Sequence, residues 1–296
     1  MDLFIKIIYN TLGFISTKLH TLLGFLSRKK YFLEFDRRPD DIFIASYMKS
    51  GTTWMQMILY QLTSNGNIKF RHISEVSPTL EDAVFENSNL DRLPSPRFLK
   101  THVPQKAIPR NFHGRFIYLM RDGKDVAVSQ YYHYKAFEKP GEELTFGESF
   151  KQFFLNKDKR KSEWSEDKNG WFGHLKGWLA NKKKLDILYV KYEDLLKDFT
   201  GSLEKIIQFC GLRIGKSEYP RILKHSSFAF MKNHEGKFDP RKVYGNQNVE
   251  FKDFIRKGKT KEGEKYFNEE QNKIYEEMFS KFLENFRLVD CYNPKK

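Results

Sequence analysis

The sequence predicts an α/β fold in which a central, mostly parallel sheet is covered by helices on both faces. Short apolar runs alternate with longer amphipathic patterns along the chain, as they do where helices cross over between parallel strands. Three of the apolar runs lead into basic side chains, namely Lys49, His102 and Arg121. Ligands of such sheets bind at the carboxyl ends of the strands, so we expect these side chains to gather at one edge.

The first strand is predicted directly after Asp41 and leads through a Lys-Ser-Gly turn into an amphipathic helix that starts at Thr52. A helix that begins at a glycine turn directs its free backbone N–H groups and the positive end of its dipole at one point. Lys49 adds a charge there, and three hydroxyl side chains add donors: Ser50, Thr52 and Thr53. The turn therefore predicts a site for phosphate or sulfate. It lacks the Gly-x-x-x-x-Gly-Lys order of ATP-binding P-loops, because Lys49 precedes the glycine.

The remaining elements follow from the same patterns. Three further strands are predicted at residues 97–102, 115–120 and 185–190. Residues 64–96 carry turn-forming residues and no clean period, which predicts loops with short helices. A helix after Arg121 is expected to be capped by Asp122, with Asp125 at its third position. Other helices are predicted at residues 145–156, 171–182, 201–210 and 269–284.

Residues 1–30 differ in character from the rest of the chain. Their apolar side chains fall on one side of a helical wheel, Lys18 interrupts the apolar stretch, and Arg28-Lys29-Lys30 follows it. This pattern favours an amphipathic helix on a membrane surface, or a helix docked on the core, over a membrane-spanning helix or a signal peptide. We expect a single domain over residues 35–287 and a C-terminal tail over residues 288–296.

The composition narrows the class of ligand. The chain has 296 residues with 52 basic and 38 acidic side chains, which gives a net charge of +14. No nucleic-acid-binding motif accompanies this excess, so a small polyanionic ligand is favoured over nucleic acid. Aromatic residues make up 16% of the chain, enough for a bulky core and an aromatic ligand pocket. Two distant cysteines, Cys210 and Cys291, predict a reducing compartment and no structural metal.

Four segments then stand in order along the chain, at residues 47–54, 100–104, 121–129 and 256–258. Together with Tyr192-Glu193-Asp194-Leu195, they resemble the cytosolic sulfotransferase family over about residues 35–287. The resemblance implies a P-loop-like nucleotide-binding fold and a cytoplasmic enzyme that needs no metal. The implied co-substrate is 3′-phosphoadenosine 5′-phosphosulfate (PAPS), and the implied acceptor is a small, lipophilic hydroxyl or amine compound.

The resemblance also assigns roles to individual residues. His102 would be the general base, while Lys49 and Lys100 would neutralise charge on the transferring group. The 5′-phosphosulfate would be cradled by Lys49, Ser50, Gly51, Thr52 and Thr53. The 3′-phosphate would be held by Arg121, Ser129, Arg256, Lys257 and Gly258. Adenine would lie between two aromatic side chains with a polar neighbour: Trp54, Phe228 and Tyr192.

The chain departs from the usual family pattern at a few positions. Met48 stands where proline is common, and Asp122 where asparagine is common. After Gly258 the loop is two residues longer and lacks the usual tryptophan. The family's dimer signature is not visible after Lys265, which leaves the oligomeric state open.

Two alternatives to a sulfotransferase remain at this stage. One is a peripheral membrane or nucleotide-binding protein without turnover, in which residues 1–30 contact lipid and the nucleotide site is only structural. The pair Lys100 and His102 argues against it, because a binding protein needs no base beside its anion site. The other is a P-loop kinase, which the missing Walker order opposes. No pattern identifies the acceptor, and the loops expected to select it lie around residues 70–98, 135–148 and 233–255.

Overall fold

The computed structural model describes residues 32–33, 35–85, 90–109, 112–136, 143–155, 170–182, 184–240 and 254–284. The segments 1–30 and 288–296 lie outside the described residues, so what was expected of them stays a prediction. Within the described ranges, no helix has both the length and the apolar character needed to cross a membrane.

A parallel four-stranded sheet forms the centre of the molecule, with the strand order β2-β1-β3-β4. Its strands are β1 (Ile42–Ser46), β2 (Phe98–Thr101), β3 (Arg115–Met120) and β4 (Asp186–Lys191). Ala45 lies opposite both Thr101 and Tyr118, so β1, β2 and β3 end at nearly the same level. The sheet confirms the predicted fold class, and this register brings the residues that follow the three strands to one edge.

Ten α-helices surround this sheet in the described part of the chain. They are α1 (Thr52–Thr63), α2 (Leu80–Phe85), α3 (Gly123–Lys135), α4 (Phe146–Leu155), α5 (Gly170–Ala180), α6 (Tyr192–Lys197), α7 (Phe199–Cys210), α8 (Tyr219–His225), α9 (Phe228–Asn233) and α10 (Glu269–Glu284). Short 3₁₀ turns occur at Ile73–Glu75, Leu90–Arg92, Gln105–Ala107, Lys216–Glu218, Glu235–Lys237 and Gly263–Lys265. The helices predicted from sequence end within about two residues of these bounds, because apolar periodicity locates a buried helical face well.

Alternating side chains of the strands fill two cores. Phe43 and Ala45 of β1 face the core built with α3, α4, α5 and α10. Ile42 and Ile44 face the core built with α1, α7 and α8. Successive side chains of a strand point to opposite faces, so a wholly apolar strand predicts this double cover.

The core reaches upstream of the predicted domain start near Phe35. Phe32 is only 2% exposed, and its ring lies edge-on to Phe112 with the ring centres 5.0 Å apart. It also contacts Phe43 of β1, at 5.9 Å between ring centres. The folded unit therefore includes the chain at least from Phe32.

Candidate active site

A cavity of about 500 Å³ opens at the carboxyl edge of the sheet, within the size range of small-molecule sites. It is lined by the segments that follow β1, β2 and β3 and by the segment 254–259. Of the fifteen site residues expected from sequence, fourteen line it: Lys49, Gly51, Thr52, Thr53, Trp54, Lys100, His102, Arg121, Ser129, Tyr192, Phe228, Arg256, Lys257 and Gly258. Ser50 is the exception. It is 1% exposed and is not among the residues that line the cavity, so its role as a hydroxyl donor stays a prediction.

The turn between β1 and α1 has an unusual backbone. Lys49 has φ +66° and Gly51 has φ +101°, both in the left-handed region. A side chain at Gly51 would be strained, and its Cβ would meet the Tyr192 ring at 2.8 Å. Helix α1 starts with Gly51 as its N-cap, with no side-chain cap and no acidic residue in the first turn. The first N–H groups of the helix are therefore left for an anion at the cavity wall.

His102 follows β2 and is held in one tautomer. Its Nδ1 lies 2.9 Å from the backbone oxygen of Ser46, which can only accept, so Nδ1 carries the proton and donates. Nε2 then has the lone pair. Burial, with a smaller contribution from Lys100, lowers the pKa of His102 to about 3, so the imidazole is neutral at pH 7.

Buried polar groups fix the backbone around His102. The Glu81 carboxylate accepts from the Thr101 hydroxyl at 2.6 Å and from the backbone N–H of His102 at 3.0 Å. On the other side, His174 Nε2 lies 3.2 Å from the backbone oxygen of His102. Its Nδ1 is 2.9 Å from the Tyr118 hydroxyl. A carbonyl only accepts, so Nε2 of His174 donates and Nδ1 accepts, which again matches a neutral ring.

Two lysines bring positive charge to the same cavity. Lys100 is partly buried, and the loss of solvent lowers its pKa while the carboxylates of Asp82 and Glu81 act in the opposite direction. Lys49 places its Nζ 4.7 Å from the centre of the Phe254 ring. Both lysines line the cavity together with His102.

Arg121 forms hydrogen bonds with two segments of the cavity wall. Its Nη1 donates to the backbone oxygen of Lys49 at 3.1 Å, and its Nη2 donates to that of Lys259 at 3.2 Å. The guanidinium also lies over the Tyr192 ring, 4.3 Å from its centre. Arg121 therefore connects the turn after β1 with the segment 256–259.

At the start of helix α3, the structure agrees with the predicted N-cap Asp122 but not with the role expected of Asp125. Asp122 accepts from the backbone N–H groups of Lys124 and Asp125 at 2.9 and 3.1 Å, so its carboxylate is engaged as the cap. The reciprocal half of a capping box is absent here: the Asp125 carboxylate instead accepts from the N–H groups of Lys261 and Gly263, both at 2.9 Å. These two hydrogen bonds hold the loop after Gly258 against α3.

The basic pair just before that loop, Arg256 and Lys257, contacts an acid that sequence reasoning missed. Glu262 Oε2 lies 3.2 Å from Arg256 Nη1 and 2.5 Å from Lys257 Nζ. Arg256 also lies over the Tyr132 ring, 4.7 Å from its centre. In the sequence, Glu262 was marked only by its place in segment 259–265, which departs from the usual family pattern.

Aromatic side chains form another part of the wall. Trp54 donates from Nε1 to the backbone oxygen of Ser226 at 2.7 Å and stacks on Phe199 with ring centres 5.8 Å apart. Phe228 is 42% exposed, a high value for so large an apolar side chain, and its ring lies against Gly258. An exposed aromatic ring at a cavity suits a flat ligand.

For the apolar part of the lining, sequence reasoning named only loops, of which the one around residues 233–255 includes Pro240, Phe254 and Ile255. Met48, Met231, Pro240, Phe254 and Ile255 contribute to it. They come from loops and short helices without periodicity, where only the richness in apolar residues gave a signal. Among the residues that the structure describes, no group of three or more His, Cys, Asp or Glu side chains is arranged to bind a metal ion.

Comparisons with known proteins agree with this geometry. The model of the sulfotransferase domain family matches residues 39–287. Human sulfotransferase 1E1 is 32% identical over 270 residues, which cover 86% of this chain and 88% of the relative. Rat sulfotransferase 1 family member D1 is 30% identical over 264 residues, with coverages of 86% and 87%.

Two solved structures are similar in fold. Mouse sulfotransferase SULT7A1, crystallised with PAP, is 28% identical with a TM-score of 0.66, covering 87% of this chain and 89% of that one. Retinol dehydratase in complex with androsterone and inactive cofactor PAP has a TM-score of 0.73 at 24% identity, with coverages of 92% and 88%.

Proposed function

Because the chain belongs to the sulfotransferase family, we propose that it transfers a sulfuryl group from PAPS to a hydroxyl or amine of a small, lipophilic acceptor, with His102 as general base. The family match sets the reaction class, a PAPS-dependent sulfotransferase. The roles of individual residues and the nature of the acceptor are our proposal. The observation that carries it is the tautomer of His102, whose unprotonated Nε2 belongs to a ring that lines the cavity.

The residues of the cavity fit the proposed donor. A side chain at Gly51 would clash with Tyr192, so the turn requires glycine at this position. Because glycine has no side chain, the backbone N–H groups of the turn and Lys49 can approach a 5′-phosphosulfate. Arg256 and Lys257 supply the charge for a 3′-phosphate. Trp54 and Phe228 supply flat faces for adenine. When bound, PAPS provides the sulfuryl group, and its leaving group is adenosine 3′,5′-bisphosphate (PAP).

The chain's own groups then perform proton transfer and charge stabilisation. His102 Nε2 accepts the acceptor's proton as its oxygen or nitrogen attacks sulfur. The Nδ1–H bond to Ser46 holds the imidazolium so formed, which then releases its Nε2 proton to solvent and becomes the neutral base again. Lys49 and Lys100 stabilise negative charge that develops on the transferring group and the leaving oxygen.

The apolar lining supports a lipophilic acceptor. Met48, Met231, Phe254 and Ile255 share the cavity with His102. Apolar walls around a few polar groups are typical of sites that bind small lipophilic molecules. The direct test is incubation with ³⁵S-labelled PAPS and a panel of lipophilic alcohols, phenols and amines. Labelled product supports the proposal, whereas PAP binding without transfer to any acceptor would favour the non-catalytic binding protein.

Arg256→Ala is expected to weaken PAP binding by roughly 10- to 100-fold and to leave adenosine 5′-monophosphate (AMP) binding within about twofold, since a charged hydrogen bond to phosphate contributes roughly 1.5–3 kcal/mol. The two ligands differ only in the 3′-phosphate, and calorimetry can measure both. Arg121→Ala is the informative comparison, because Arg121 also bonds to Lys49 and should affect both ligands. Equal losses for Arg256→Ala would contradict its assignment to the 3′-phosphate.

The pH dependence of turnover should show that the base has a lowered pKa. With the pKa of His102 at about 3, the base is already deprotonated throughout the range from pH 8 to 5. We therefore expect kcat/KM for a non-ionising alcohol acceptor, measured at saturating donor, to stay level down to about pH 5. An ordinary histidine with pKa 6.5 would instead lose about tenfold by pH 5.5. A limb near pH 6.5, together with an NMR titration of His102 at that pH, would contradict the buried neutral base.

A further inference from the structure

Glu262 is an acid surrounded by the bases of the nucleotide site. Glu262 is only 3% exposed. Its Oε2 lies 2.5 Å from Lys257 Nζ and 3.2 Å from Arg256 Nη1, and its Oε1 lies 3.6 Å from Lys265 Nζ. Hydrogen bonding from Lys257 first, and then from Arg256, lowers the pKa of Glu262 to about 2. The group is therefore a carboxylate at any pH at which the protein works.

The position of this carboxylate is fixed by the backbone on both sides. Lys261 and Gly263, its two neighbours, donate their N–H groups to Asp125, which is 1% exposed. Arg256 and Lys257 line the cavity, whereas Glu262 is not among the described lining residues. The acid therefore contacts the bases from outside the cavity, and it is held there without any ligand.

We propose that Glu262 is a positioning residue that holds Arg256 and Lys257 in place for the 3′-phosphate of the donor. Long basic side chains lose much conformational freedom when they are ordered, so a fixed partner lets them bind phosphate at a lower entropic cost. The inference rests on the proposed function. It also gives a role to the segment after Gly258, in which this acid lies.

The electrostatic effect and the positioning effect of Glu262 predict opposite changes in PAP binding. Removing a negative charge close to a phosphate site would by itself strengthen phosphate binding. Weaker binding of PAP, with AMP binding unchanged, would therefore indicate lost positioning. If Glu262 were instead a competitor that the phosphate must displace, its removal would tighten binding.

The experiment compares PAP with AMP on the wild type and on Glu262→Gln by calorimetry. We expect about tenfold weaker PAP binding and AMP binding unchanged within twofold. Glu270→Gln removes the same charge from an exposed position of α10 and should change neither ligand. Tighter PAP binding, or unchanged PAP binding, would overturn the proposal.

A second measurement separates positioning from a general loss of fold. In the Lys257→Ala background, Glu262→Gln should weaken PAP binding by clearly less than tenfold, because one of the two bases that it positions is gone. Equal weakening of PAP and AMP would indicate damage to the fold and would also overturn the proposal. If the wild type itself binds neither nucleotide, the proposed function fails, and that outcome is distinct from a failure at Glu262.

Discussion

His102→Ala is expected to lower kcat by roughly 10²–10⁴-fold while PAP binds with nearly wild-type affinity, because the imidazole should contact the acceptor rather than the nucleotide. His102→Asn is the more selective variant. Its amide can place an N–H close to where Nδ1 donates to Ser46, but it has no group at the position of Nε2. We therefore expect the asparagine variant to keep the local structure and to lose turnover to a similar extent.

Steady-state rates at saturating donor and acceptor, with PAP titration of each variant, provide the measurement. His113→Ala serves as a control, since His113 is exposed and outside the cavity lining. An asparagine variant that keeps more than a tenth of the wild-type kcat would show that His102 has a structural role and is not the base.

The sheet and most of the cavity could be predicted because their signals are local. Each strand is a short apolar run, and the glycine turn lies between one such run and an amphipathic helix. Lys49, His102 and Arg121 follow strands that run in parallel and in register, so the fold class alone placed them together. The family resemblance then supplied Phe228 and the segment 256–258, which no local pattern marks.

What could not be predicted depends on contacts between distant segments. The carboxylate of Asp125 looked like half of a capping box, yet it binds N–H groups 136 and 138 residues away. Glu193 lies in the 192–195 segment, but its bond to the N–H of Asp122 requires knowing that α6 faces α3. Glu81 supports His102 from a helix that periodicity did not resolve.

Side-chain direction is a further limit of sequence reasoning. Ser50 lies within the predicted anion-binding turn, but it is 1% exposed and is not among the residues that line the cavity. Neighbouring residues of a turn can point to opposite sides, and the left-handed backbone of Lys49 and Gly51 makes the direction hard to infer. Arg121 shows the same limit, since its bonds to two backbone oxygens were not expected from its charge.

Lys49→Met is expected to lower kcat by roughly 10²–10³-fold at saturating donor, a loss typical of removing one group that stabilises transition-state charge. It should also weaken PAP binding by about tenfold or more, because the 5′-phosphate loses a charged partner. Lys49→Arg keeps the charge and tests how strictly its position matters. A methionine variant with more than a third of the wild-type kcat would remove Lys49 from the proposed chemistry.

Lys49→Gly then separates the charge from the backbone conformation. Lys49 has φ +66°, a conformation that costs a non-glycine residue about 1 kcal/mol or more and persists mainly at functional sites. Glycine relieves this strain but lacks the ammonium group, so we expect it to be as inactive as the methionine variant. Its melting temperature should exceed that of the methionine variant by about 2 °C. Thermal unfolding and rates of both variants provide the test. A glycine variant that regains activity would show that turn geometry, and not the ammonium charge, is what Lys49 contributes.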